Sequence, residues 1–333
     1  MDKIAFFEIE DWEKEYLEKA LDDKNLFFSK ERLDKDTIPL AKDASIISPF
    51  IYSEISKDIL ESLPSLKFIA TRSVGYDHID IDSCKKKNVI VANIPKYGGD
   101  TVAEHTFALI LAISRKLIPS IEHTKRGDFS LEGLTGFDLY GKTLGVLGAG
   151  HIGKKVIEMG LCFGMKILAF NKSEDEELIK KGVKYVDIDT VLANSDVITL
   201  HLPHTKDTEH IINMQNINKF KKGSVLINTA RGSLVETQAI LEGLEKGILA
   251  GAGIDVLEEE CSLKEERELL TNEFLKSCDI KTQLLNHVLL LRPDVIITPH
   301  NAFNSKEALT QILDITASNI KAFLNGSKLN IVE

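Results

Sequence analysis

The tightest constraint on this chain is a single turn. Gly148-Ala149-Gly150-His151-Ile152-Gly153 stands between the apolar run TLGVL and the helically spaced run IGKKVIEMGLCFG. A GxGxxG triplet alone is a weak signal, because glycines are common in turns, but a strand before it and a helix after it fix its geometry. Gly148 allows the tight turn out of the strand. Gly150 has no side chain, so a pyrophosphate can come up to the backbone, and Gly153 lets the helix pack closely on the sheet. The first N–H groups of the helix, from His151 and Ile152 onward, offer unpaired donors and a partial positive charge to such a phosphate. The turn predicts a dinucleotide-binding α/β unit.

That unit sits inside a longer βα rhythm. KIAFFEI, ASIISPF, LKFIATRS and NVIVANIP read as strands separated by helical stretches such as SEISKDILESLP, down to about Pro95. Such alternation implies a parallel sheet covered by helices. Residues 101–118, TVAEHTFALILAISRKLI, are apolar nearly all round and predict one buried helix, followed by irregular backbone over HTKRGDFSLEGLTGFDLYGK. From Thr143 a second series begins, with strands in TLGVLGAG, MKILAFN, DVITLHLP, SVLINTA, AGAGIDVL and DVIITPH. Six such runs are the count expected of a doubly wound domain. The chain finishes with the amphipathic stretch ALTQILDITASNIKAFLNG, a helix suited to docking back on the first domain. Between Glu260 and Pro293 one stretch departs from the rhythm and reads as one or two helices.

Length and composition fit this picture and exclude others. A chain of 333 residues, 43% hydrophobic and 28% charged, is globular and long enough for two cores. The net charge of -10 argues against nucleic acid or anionic lipid as a partner. The four cysteines, Cys84, Cys162, Cys261 and Cys278, are scattered without a CxxC, so neither a disulfide framework nor a metal site is expected. The N-terminus carries acids too early for a signal peptide, and no apolar run nears the roughly 20 residues of a membrane span. A cytoplasmic protein with no membrane contact is the expectation.

The second strand of the dinucleotide unit, KILAF, should end with an acid for the adenosine ribose. It ends at Asn171, followed by Lys172. Asparagine still bonds a hydroxyl but does not repel a 2'-phosphate, and Lys172 can pair with one. Glu174, Asp175, Glu176 and Glu177 oppose it. NAD is the favoured cofactor, with NADP compatible.

Three later segments place chemistry at the carboxyl ends of strands, where open α/β sheets bind ligands. They are LINTARGSLV with Arg231, AGAGIDVLEEE with Asp255 and Glu260, and VIITPHNAF with His300. A guanidinium holds a carboxylate through two bonds, and an imidazole delivers or takes a proton near neutrality. A neighbouring carboxylate favours the imidazolium. That set suits hydride transfer to a 2-keto acid. Chemistry alone leaves the orienting acid open among Glu258, Glu259 and Glu260.

TRSVGYDHIDI, NIPKYGGDTVAEHTFALIL, GVLGAGHIGKKV, HLPHTKDT, INTARGSLV, GAGIDVLEEE and ITPHNAF, in this order between about residues 71 and 303, resemble the D-isomer-specific 2-hydroxy acid dehydrogenase family, and within it the D-lactate dehydrogenase branch. The resemblance implies roles. Arg231 binds the substrate carboxylate, His300 is the acid/base, and Glu260 is its orienting acid. Backbone N–H groups of Val74 and Gly75 grip the carboxylate, and Tyr97 and Tyr52 face substrate. Val102 borders the nicotinamide. His201, Pro203, Thr205, Thr229, Ala230, Arg231 and Asp255 fall on cofactor-contacting positions, Asp255 at the carboxamide. It further implies two Rossmann-like domains: a flavodoxin-like substrate domain from residues 1–100 and 301–333, a cofactor domain from 101–300, and a homodimer.

Within that family, Phe303 resembles the lactate branch more than the phosphoglycerate branch, and with the lack of a further domain after residue 333 this implies a lactate-sized substrate over 3-phosphoglycerate. Glu260, at a position where the formate branch usually lacks an acid, argues against formate. The competing readings are a hydroxypyruvate or glyoxylate reductase and, in a different class, a non-catalytic NADH-sensing corepressor scaffold. The complete Arg–Glu–His set and the absence of long tails speak against the scaffold.

Overall fold

In a computed structural model, residues 2–22, 25–258 and 279–332 are described. The chain divides into two compact units, residues 1–98 with 305–333, and residues 99–304.

The first unit is a five-stranded parallel sheet in the order β2-β1-β3-β4-β5. Its strands are β1 (Ile4–Phe6), β2 (Leu26–Phe28), β3 (Ile46–Ser48), β4 (Phe68–Ala70) and β5 (Ile90–Ala92). β1, β3 and β4 are wholly buried, which is why they read as continuous apolar runs rather than alternating ones. The order reverses between β1 and β3, so ligands are expected at the carboxyl ends of those two strands. The sequence reading missed β2. It is a three-residue, half-buried edge strand paired only with β1, flanked by charges. The C-terminal helix Lys306–Leu324 does join this unit, packing on the helix Asp11–Leu21 and on β4. Its buried Ala308, Ile312, Thr316 and Ile320 recur every four residues, and Phe323 stacks on Phe68 at 4.3 Å.

The second unit is a seven-stranded parallel sheet, ordered β12-β11-β10-β9-β6-β7-β8. Its strands are β6 (Thr143–Leu147), β7 (Lys166–Phe170), β8 (Lys184–Tyr185), β9 (Val197–Leu200), β10 (Ser224–Asn228), β11 (Leu249–Ile254) and β12 (Val295–Ile297). The six expected strands are present, and the two-residue edge strand β8 adds a seventh. The order turns back between β6 and β9, the doubly wound arrangement with its switch point beside the glycine turn. Residues 101–118 do not form one helix. Gly99–Ser114 ends, Lys116 takes φ +51, and a second helix runs from Leu117 to Lys125. The cause is tertiary: the Phe137 N–H caps the Ser114 carbonyl at 2.9 Å. A Cβ at Gly136 would lie 2.0 Å from that same oxygen.

Candidate active site

The glycine turn has the geometry its sequence requires. Gly148 has φ +101, and a Cβ there would stand 2.6 Å from the His201 carbonyl oxygen; at Gly153 a Cβ would stand 1.9 Å from the Gly148 carbonyl oxygen. Gly150 differs, since nothing lies within 4 Å of its Cβ position. That open side faces no protein, and Gly150 caps the helix His151–Cys162 without a side-chain hydrogen bond. Unpaired helix donors next to open space suit a phosphate group. Across the switch point, His201 is held by Thr199 Oγ1 at 2.9 Å, while its buried Nδ1 has no partner among the described residues. These features fit a bound dinucleotide.

Burial lowers the His201 pKa to about 3, so the ring stays neutral. Unfolding restores an ordinary value near 6.5. Between those values the unfolded chain binds the extra proton, so stability falls as pH drops from about 6.5 toward 3. Urea titrations at several pH values should show a shallower acid slope in His201→Asn, by up to about 1.4 kcal/mol per pH unit. An identical slope would show that the imidazole is not held neutral.

Beyond β7, the Asn171 Oδ1 accepts from the Ala149 N–H at 3.3 Å and its Nδ2 donates to the Ser173 carbonyl at 2.8 Å. The amide therefore braces the glycine turn, a role the sequence did not reveal. Lys172 is exposed, and Asp175 is paired with Lys154 at 2.5 Å, which lowers the Asp175 pKa and raises that of Lys154. After β9, Thr205 lies in a turn tied by Thr208, whose hydroxyl donates to the Pro203 carbonyl at 2.7 Å.

Arg231, Asp255 and His300 follow three neighbouring strands. Asn228, Ile254 and Ile297 are in register across β10, β11 and β12. The Asp255 N–H donates to the Asn228 carbonyl, and the His300 N–H to the Asp255 carbonyl, both at 2.9 Å. Arg231 is placed by its backbone, because its carbonyl accepts from Asn228 Nδ2 at 2.8 Å. Next to it, a Cβ on Gly232 would stand 2.0 Å from the Leu257 oxygen, so only glycine permits this approach of β10 to the segment after β11. Thr229 meets Thr106 at 3.0 Å, and Thr106 donates to the Val102 carbonyl, joining the strand end to the helix Gly99–Ser114. The carboxylate of Asp255, 1% exposed, accepts from Thr298 Oγ1 at 2.5 Å and from the N–H groups of Asn301 and Ala302 at 3.0 Å. His300 sits inside that turn with φ +51, and Phe303 stands edge-on to its ring at 6.3 Å. Glu260 lies outside the described residues. Among those described, no cluster of His, Cys, Asp and Glu could hold a metal ion.

In the first unit the backbone at residues 73–75 is held from its carbonyl side. The carbonyls of Ser73, Val74 and Gly75 accept from the Ile94 N–H, Asn93 Nδ2 and Ser73 Oγ at 3.0, 2.7 and 2.6 Å. Neither the Val74 nor the Gly75 N–H donates to a described residue, which leaves two adjacent donors, the arrangement that cradles anions. Sequence reasoning missed the two side chains that shape this edge. Glu8, with φ +57, accepts from the N–H groups of Phe50 and Tyr52 at 2.9 and 2.8 Å, which positions exposed Tyr52. Arg72 is fully buried and ties β1 to β3. Glu8 directly follows an apolar run and Arg72 stands one residue past another, and that proximity was the available signal. Tyr97 is half-buried shortly before Gly98.

A family model described as D-isomer specific 2-hydroxyacid dehydrogenase, NAD binding domain, matches residues 107–302. The chain is also 35% identical over 329 residues to a 2-hydroxyacid dehydrogenase homolog of Haemophilus influenzae, covering 97% of each. This chain belongs to the D-isomer-specific 2-hydroxyacid dehydrogenase family. The dehydrogenase is 33% identical to the D-lactate dehydrogenase of Escherichia coli, with 97% of each chain covered. Among solved structures it resembles the D-lactate dehydrogenase of Aquifex aeolicus complexed with NAD and lactic acid, at TM-score 0.85 and 38% identity, covering 97% and 96% of the two chains. The dehydrogenase is thus an α/β oxidoreductase of two Rossmann-like domains that transfers hydride between a nicotinamide cofactor and 2-hydroxy acids. Its described residues hold no helix long and apolar enough to cross a membrane.

Proposed function

We propose that this dehydrogenase interconverts D-lactate and pyruvate with NAD, as a homodimer in a reducing compartment. The convergence of Arg231, Asp255 and His300 on three adjacent strand ends carries the site assignment. The small substrate is supported by the D-lactate dehydrogenases it resembles and by the ring of Phe303 beside His300.

The bound nicotinamide supplies the hydride in reduction and accepts it in oxidation. Arg231 holds the keto acid's carboxylate as a planar fork, aided by the N–H groups of Val74 and Gly75, which fixes the carbonyl carbon. His300 gives its proton to the carbonyl oxygen as that oxygen becomes an alcohol, and takes it back in the reverse direction. Glu260 is assigned the orienting of His300. Tyr97 and Tyr52 border the substrate side chain. Gly148, Gly150, His151, Ile152 and Gly153 would hold the pyrophosphate, and Val102, His201, Pro203, Thr205, Thr229, Ala230 and Asp255 the rest of the cofactor.

NAD is preferred over NADP on electrostatic grounds. Glu174, Asp175, Glu176 and Glu177 crowd the residues just after Lys172, and their charge outweighs that of Lys172 at a 2'-phosphate. A panel of pyruvate, hydroxypyruvate, glyoxylate, phenylpyruvate and oxaloacetate, run with NADH and NADPH, tests both points. Pyruvate with NADH should have the highest kcat/KM, with NADPH about tenfold or more below it. Preference for another keto acid, or for NADPH, overturns the corresponding assignment, and tight cofactor binding without turnover would favour a scaffold.

The dimer is supported by Phe129, Leu131 and Tyr140, each at least 80% exposed within one segment. Light scattering should give twice the 37.1 kDa chain mass, and Phe129→Asp with Leu131→Asp should halve it. A wild-type mass of one chain overturns the dimer. Free Cys84 and Cys162 suit reducing conditions.

A further inference from the structure

The turn that presents His300 is tied to a second histidine. The Asp255 carboxylate binds the turn at both ends, through Thr298 Oγ1 on one side and the Asn301 and Ala302 N–H groups on the other. His300 lies between them in the left-handed region, which an L residue occupies at a cost unless its surroundings enforce the conformation. The hydroxyl of Thr298 has one proton, and it goes to Asp255, since a carboxylate only accepts. His105 Nε2 stands 3.1 Å from that same hydroxyl oxygen and 3.5 Å from Asp255 Oδ1. With the proton already committed, the oxygen can only accept from His105. The imidazole is therefore held as its Nε2–H form, giving a directed chain from His105 to Thr298 to Asp255. His105 lies on the helix Gly99–Ser114, so the chain fastens the 298–302 turn to a different element.

We propose that His105 and Thr298 are positioning residues for the hydride-transfer reaction, acting through Asp255 to hold the His300 turn; this rests on His300 being the acid/base. They touch neither reacting atom, so their loss should lower kcat without moving the cofactor KM. Thr298→Val keeps shape and removes the donor, while Thr298→Ser keeps it. His105→Leu removes the N–H, while glutamine extends an amide donor to nearly the same place.

Steady-state kinetics with pyruvate and NADH, together with melting temperatures, test the chain alongside His300→Gln. Thr298→Val and His105→Leu are expected to lower kcat about 10–100-fold, the size of a hydrogen bond to a charged group. Thr298→Ser and His105→Gln should recover to within about threefold of wild type, with the KM for NADH unchanged in all four. Retention of kcat in both donor-deleting variants, with His300→Gln inactive, overturns the inference and leaves the acid/base reading standing. So does an equal loss in the conservative variants, or a loss that tracks melting temperature or NADH affinity. Full activity in His300→Gln removes the acid/base reading itself, and the inference with it.

Discussion

Replacing His300 with glutamine is expected to lower kcat by about 10²–10⁴-fold in both directions, the usual worth of a positioned acid/base. NADH affinity should stay within about twofold, because the cofactor turn lies on β6, away from the β12 segment. Glutamine is the informative replacement. Its amide offers a donor near the position of Nε2, so ground-state contacts are largely kept, but it has no proton to release. At φ +51 glutamine is somewhat less favoured than histidine, but Asp255 keeps its bonds to the backbone at Asn301 and Ala302 and so enforces the turn. The turn should therefore survive, and the loss should fall on chemistry rather than folding. Fluorescence titration with NADH and steady-state turnover with pyruvate separate the two. A kcat within about tenfold of wild type would move proton transfer to another group.

The pieces of this site differed in how far the sequence could locate them. Arg231, Asp255 and His300 were legible because each stands just past an apolar run, and parallel strands deliver their carboxyl ends to one edge. Gly148 and Gly153 were legible because steric contact with nearby backbone dictates glycine. What joins these residues was not visible. Thr298 meets Asp255 across 43 positions and His105 across 193, and no local pattern registers such pairs. The helix break at Lys116 was hidden for the same reason, since its cap is the Phe137 N–H. β2 and β8 escaped because short edge strands need few buried side chains and leave no periodic trace. Asn171 looked like a question about the ribose alone, yet its amide also supports the Ala149 N–H.

Arg72 should give the largest loss of stability. Its guanidinium, 1% exposed, donates to the carbonyls of Ser48, Phe7 and Glu8 at 3.1, 2.8 and 2.7 Å and lies over the Phe50 ring at 5.2 Å. Burial pushes its pKa down from the ordinary value, and Glu13 and Glu8 oppose that shift. These carbonyls belong to the ends of β1 and β3, the pair flanking the switch point of the first sheet. Arg72→Met keeps most of the volume but takes the donor from the Phe7 and Glu8 carbonyls, each costing about 1–3 kcal/mol when unpaired, and leaves the Ser48 carbonyl only the Phe7 N–H. Allowing for partial relaxation, urea unfolding should report a loss of about 3–5 kcal/mol. Lysine should recover only part of it, because one ammonium cannot span carbonyls on two strands. The site should weaken too. Glu8 holds Phe50, Tyr52 and Ser53 from the same strand end, so a slack β1–β3 edge loosens Tyr52. At temperatures where the variant is folded, the KM for pyruvate should rise more than kcat falls. A stability change under about 1 kcal/mol would mean that water reaches those carbonyls, and the buried guanidinium would no longer be what fixes this edge.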